Sequence, residues 1–136
     1  MQLDHIGIAV NDLDGAAEVF SLMLGLKPGD VFIREVPAEK VRIAEIEMDG
    51  TNVELMEPTS EDSPISGFLA KRGHGVHHIC FRTGDIDGVW ADVKARGART
   101  LSDEIRSVGR AYRYFFVHPK DAAGILTEFK QPVEGH

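Results

Sequence analysis

His5-Ile6-Gly7-Ile8-Ala9-Val10-Asn11-Asp12-Leu13-Asp14-Gly15 returns 73 positions later as His78-Ile79-Cys80-Phe81-Arg82-Thr83-Gly84-Asp85-Ile86-Asp87-Gly88. A second match sets Val53-Glu54-Leu55-Met56-Glu57-Pro58 against Thr127-Glu128-Phe129-Lys130-Gln131-Pro132, at a shift of 74. An offset that drifts by one residue over that distance marks a duplicated structural unit. Each copy opens with a histidine on an apolar segment, His5 or His78, and closes with a glutamate on another, Glu54 or Glu128. Packed about a pseudo-twofold axis, two such copies bring two imidazoles and two carboxylates to one point. That is the donor set of a metal site.

Both copies predict the same elements. Leu3–Val10 reads as a strand buried on at least one face, and Asp12 and Asp14 are candidate N-caps for the helix after it. Leu13, Ala16, Ala17, Phe20 and Leu24 have helical spacing, with Gly25 as the stop. Ile86, Val89, Trp90 and Val93 repeat the pattern up to Gly97. Extended segments follow at 29–36, 41–48 and 51–57, with Asp49-Gly50 as a hairpin turn. The second copy offers 100–106, 111–117 and 124–130. The expected organisation is one domain over 1–136. Module 1 covers about 1–58, a linker with a short helix 59–75, and module 2 about 76–132, each β-α-β-β-β.

A net charge of −7 argues against nucleic acid as a partner, since neutralising phosphates needs a basic face. The apolar runs are too short for a membrane span, and Met1-Gln2-Leu3-Asp4 enters a strand pattern with no signal-peptide region before it. The lone Cys80 suits a reducing, cytoplasmic compartment.

Taken singly, a strand histidine is more often a hydrogen-bonded core residue than a ligand, and Glu54 or Glu128 could be a solvent-facing strand residue. The joint pattern outweighs this, because unpaired carboxylates are costly to bury. Two His and two Glu favour a divalent Zn, Co, Ni, Mn or Fe ion over Ca or a thiolate metal. His77 faces away from its neighbour His78, and the repeat chooses His78. Cys80 reads as a small buried hydrophobe, His118 as a turn or rim residue, and His136 as a terminal one. The run Glu57–Asp62 reads as a solvated loop.

These features resemble the vicinal oxygen chelate superfamily (glyoxalase, bleomycin resistance, dioxygenase) and, within it, the methylmalonyl-CoA epimerase family. The resemblance runs from Asp4-His5-Ile6-Gly7-Ile8-Ala9-Val10 to His118-Pro119-Lys120-Asp121-Ala122-Ala123-Gly124-Ile125-Leu126-Thr127-Glu128. Its more specific part is Asn52–Pro58 continuing through Glu61-Asp62-Ser63-Pro64-Ile65 to Gly73-His74-Gly75-Val76-His77-His78. It implies an α+β fold in which two β-α-β-β-β modules form a half-open barrel around a metal held by His5, Glu54, His78 and Glu128. It implies metal-dependent epimerisation of (2R)/(2S)-methylmalonyl-CoA, by C2 proton abstraction and return through a metal-stabilised enolate, in a homodimer. Glu128 is then combined ligand and base, with Glu54 on the opposed side. Some family members carry a second glutamate on the strand equivalent to 41–48, where this chain has Ile43. Glu45 and Glu47 share its parity, and Glu45 is the closer candidate. Relatives often have several glycines where this chain has Arg110, Ala111 and Tyr112. The bulkier residues would narrow the substrate mouth, or Arg110 and Arg113 with Lys120 would meet CoA phosphates. The rival functions are a glyoxalase-I-type lactoylglutathione lyase and a non-catalytic small-molecule-binding protein. An extradiol dioxygenase is disfavoured by the fourth ligand, Glu54.

Overall fold

The computed structural model describes residues 1–133; Glu134, Gly135 and His136, and with them the expectation for His136, lie outside the described residues. The residues group into two compact units, one of residues 5–77 and one of residues 1–4 with the chain from residue 78 onward. The element order is β-α-β-β-β twice, the α+β class that the repeat predicts.

The first copy runs through β1 (Gln2–Ala9), α1 (Leu13–Leu24), β2 (Val31–Val36), β3 (Val41–Met48) and β4 (Thr51–Pro58), then α2 (Pro64–Arg72). Its strands stand in the order β2-β3-β4-β1, with β1 and β4 parallel and the other pairs antiparallel. Asp49 and Gly50 make the expected two-residue hairpin, since Met48 and Thr51 are register partners. Successive strand side chains point to opposite faces. Ala44, Ile46 and Leu55 therefore pack with Leu13 and Ala17 of α1. Ala9, Val41, Ile43 and Met56 pack on the other face, against Ile65, Phe68 and Leu69 of α2. Each Leu or Ile so buried contributes about 1.5–3 kcal/mol. The rest of that second face holds His5, Glu54 and Glu45.

The second copy runs through β5 (Gly75–Arg82), α3 (Ile86–Ala95), β6 (Arg106–Val108), β7 (Tyr112–Val117) and β8 (Leu126–Pro132). Its order is β5-β8-β7-β6, again with one parallel pair, β5 and β8. Ile86, Phe115 and Val117 are its buried core under α3, with Trp90 edge-on to Phe115 at 5.0 Å between centroids. The strand expected over 100–106 does not form. Thr100 makes a single bridge to Val117, and β6 is three residues long. Thr100 Oγ1 donates to the Ser102 carbonyl and Ser102 Oγ to that of Glu104, each at 2.7 Å. Such local side-chain bonds compete with a strand ladder.

The helix starts are built alike. Asp12 Oδ1 accepts from Gly15 N at 3.2 Å, and Asp85 Oδ1 from Gly88 N at 3.0 Å. A Cβ on either glycine would collide with the capping carboxylate. Asp12 is therefore the N-cap of α1, while Asp14 pairs with Arg42 at 3.5 Å. At its far end α1 stops on Gly25, at a φ of 65° that favours glycine.

Candidate metal and proton-transfer site

In residues 5–77, the parallel β1–β4 ladder sets Gly7 opposite Glu54, so His5 and Glu54 share a face and the residue between them carries no side chain. His5 Nδ1 lies 3.7 Å from Glu54 Oε2, and the side chains are 9% and 12% exposed. In the other unit, Cys80 is opposite Glu128 in the β5–β8 ladder. His78 Nε2 lies 3.7 Å from Glu128 Oε1, with both side chains 9% exposed. The two pairs thus occupy equivalent register positions, and each unit brings its own histidine and glutamate together.

The donor chemistry fits a divalent cation. A separation of 3.7 Å is too long for a hydrogen bond. Two donors about 2.1 Å from one tetrahedral ion lie about 3.4 Å apart. Imidazole nitrogen with carboxylate oxygen is a borderline-to-hard donor set, suited to Zn, Co, Ni or Mn.

What surrounds each pair differs. Glu54 has Glu45 as its direct register partner across β3–β4. Asn52 Nδ2 donates to Glu45 Oε1 at 2.6 Å. From β2, Arg34 Nε donates to Glu45 Oε2 at 3.4 Å, and Arg34 Nη2 is 3.9 Å from Glu54 Oε1. Glu128 instead has Phe116 opposite it across β7–β8, and the Phe116 ring meets His78 edge-on at 6.0 Å. Ile43, on the face of Glu45, is 4% exposed and packs with Ala9 and Met56. Glu47 is exposed.

The remaining expectations divide. His77 is edge-on to Phe68 at 5.2 Å, and burial pushes its pKa below the ordinary histidine value, in keeping with a packing role. Cys80 is fully buried; burial, then the nearby Glu128 and Asp4 charges, pushes its thiol pKa far up. His118 Nδ1 accepts from Lys120 N at 3.1 Å and caps the 3-10 turn Pro119–Asp121. One reading is corrected. Glu57 is no solvated loop residue: its carboxylate accepts from Leu13 N at 2.7 Å and from Arg42 at 3.2 Å. Arg113 forms a two-point ion pair with Asp87 at 2.8 and 2.9 Å, beside the α3 start. Sequence reasoning also passed over Arg34 and Asn52, visible only once the β2–β3–β4 register is known. It passed over Asp4 as well, a 13%-exposed carboxylate held by Arg82 at 2.9 Å and Lys130 at 3.6 Å.

Residues 4–116 match the model of the glyoxalase/bleomycin resistance protein/dioxygenase superfamily. The chain belongs to that superfamily, whose fold the duplicated β-α-β-β-β units display. It is 35% identical to the human mitochondrial methylmalonyl-CoA epimerase, covering 96% of this chain and 73% of that protein. It is 37% identical to the ethylmalonyl-CoA/methylmalonyl-CoA epimerase of Cereibacter sphaeroides, covering 96% and 97%. Among solved structures it resembles a glutamate-to-leucine variant of Streptomyces coelicolor methylmalonyl-CoA epimerase in complex with 2-nitronate-propionyl-CoA. The TM-score there is 0.85, with 38% identity over 98% of this chain and 96% of that one. Within the superfamily, then, the chain is a member of the methylmalonyl-CoA epimerase family.

Proposed function

We propose that the chain interconverts (2R)- and (2S)-methylmalonyl-CoA, with His5, Glu54, His78 and Glu128 converging on one divalent cation. The observation that carries the reading is the buried His–Glu pair at equivalent positions of both copies, in a chain alike to the epimerases over nearly its whole length. Bound there, the cation supplies positive charge beside the thioester and carboxylate oxygens of the substrate. Zn, Co, Ni and Mn all suit the donors.

The residues supply the proton chemistry. The C2 hydrogen lies between a thioester and a carboxylate, so losing it leaves an electron pair that delocalises into the thioester carbonyl. The nitronate of the ligand bound by the Streptomyces enzyme is likewise a planar, delocalised anion at C2. Glu128 takes the proton on its carboxylate, in surroundings made water-poor by His78 and Phe116. Inversion requires a proton from the other face. We assign that role to the first copy: Glu45, held beside Glu54 by Asn52 and Arg34, is the second acid/base group. The two carboxylates exchange roles in the reverse direction.

A single-domain, cytoplasmic homodimer completes the reading. It rests on the one free thiol, Cys80, and on β2, an edge strand in its unit with Phe32 63% exposed, an edge that calls for cover. Among the described residues no helix is long and apolar enough to cross a membrane.

The test is deuterium wash-in at C2 of methylmalonyl-CoA, on chelator-stripped protein with and without added Co²⁺. Exchange with epimer interconversion that needs both the metal and Glu128 is expected. Tight metal binding without exchange sinks the reading and directs the assay to the glutathione–methylglyoxal hemithioacetal.

A further inference from the structure

Glu45 and Glu54 are direct cross-strand partners, so two carboxylates face each other from β3 and β4. Their side chains are 28% and 12% exposed, too enclosed for water alone to screen them well. Like charges directly opposite on an antiparallel pair repel and destabilise the ladder. Left alone, the two groups would swing apart.

A cation stands where it opposes that motion. Arg34 on β2 is the register partner of Ile43, one pleat from Glu45, and shares the face of both glutamates. Its Nε reaches Glu45 Oε2 at 3.4 Å, and its Nη2 lies 3.9 Å from Glu54 Oε1. Asn52 holds the other Glu45 oxygen at 2.6 Å. The second copy is an internal control. Arg106 is the register partner of Tyr114, the position equivalent to Arg34, but the residue opposite Glu128 is Phe116, and Arg106 is exposed. The inward-reaching guanidinium goes with the carboxylate pair.

We infer that Arg34 is a positioning residue: its guanidinium bridges Glu45 and Glu54 and holds Glu54 in the orientation of a metal ligand and Glu45 in that of a proton-transfer group. This rests on the function proposed above. A flexible guanidinium on an edge strand is also easily lost to substitution without collapse of the core, so the effect is separable from folding.

The test compares full-length Arg34→Ala and Arg34→Lys proteins with the wild type. Co²⁺ affinity is read by competition with a chromophoric chelator, kcat and KM on methylmalonyl-CoA, and the thermal midpoint without metal. Arg34→Ala is expected to bind Co²⁺ about 10- to 100-fold more weakly. Its kcat should fall while KM stays within a few-fold, and Arg34→Lys should recover part of both losses. Unchanged Co²⁺ affinity and kcat in Arg34→Ala overturn the inference. A rise in KM alone also overturns it, by making Arg34 a substrate contact. Glu128→Ala in parallel separates the two readings. If that variant retains exchange, the proposed chemistry fails, whereas the chelator competition still judges the bridge.

Discussion

The two copies agree at their helix starts and disagree around their metal-type pairs. In both, a capping Asp bonds the backbone of a Gly three residues on, and the first helical N–H donates to a side chain of the closing strand. Leu13 N donates to Glu57 at 2.7 Å, and Ile86 N to Gln131 at 2.9 Å. In both, the first-turn Asp pairs with an Arg of the third strand, Asp14 with Arg42 and Asp87 with Arg113. Beside the His–Glu pairs the likeness ends: Glu54 faces Glu45, and Glu128 faces Phe116. Duplication kept what places the helix on the sheet, and the face beside the pairs diverged.

The largest effect should come from the apolar side of the contrast. Glu128→Ala is expected to slow C2 exchange by about 10²- to 10⁴-fold, the usual range for losing a positioned acid or base. Glu45→Gln should suppress inversion more than wash-in, because one face can still exchange; NMR with optical rotation separates the two. Next, the fully buried Phe115 stands where the first copy has Ala44, and Phe115→Ala should cost about 3–5 kcal/mol in denaturant unfolding. Phe116→Glu would give the second copy the first one's facing carboxylates without an inward arginine. It should lower stability by about 1–3 kcal/mol, and a neutral result would break the idea that Arg34 is needed.

Smaller effects test the shared part. Glu57→Gln makes the first helix start like the second and removes a negative charge from the positive end of α1. A loss of about 0.3–1 kcal/mol is expected, diminished by salt. Smallest is the Arg99–Asp121 pair, where the guanidinium holds the Asp121 carboxyl at about 2. The folded value lies below the unfolded one, so its stabilisation is present above the ordinary carboxylate pKa and lost as pH falls through about 2. NMR titration should find the Asp121 midpoint low, and Arg99→Ala should raise it toward the ordinary range, with the backbone N–H of residue 99 still donating to the carboxylate.

Much of this was legible in the chain because a duplication aligns itself. The shift of 73 at His5 and 74 at Glu54 reappears as register: Gly7 pairs with Glu54 and Cys80 with Glu128. The repeat alone therefore picks out both His–Glu pairs. What it missed depends on partners distant in sequence. That Glu57 holds the backbone of Leu13, 44 residues away, is invisible in a run that reads as polar loop. Arg34, Asn52 and Glu45 share one network because three strands are in register, and no spacing along the chain announces it. The lost strand at 100–106 failed for the opposite reason, since Thr100 and Ser102 satisfy local carbonyls and weaken the pull of the ladder.

Cys80 carries a practical consequence. It is the only cysteine of the chain, fully enclosed, and its thiol is kept from ionising by burial and by the Glu128 charge. Alkylating reagents act on thiolates, so the native protein should be inert to iodoacetamide, and modification of Cys80 becomes a clock for global opening. A cysteine introduced on the surface can then carry a fluorophore or spin label alone, with the natural one left in place.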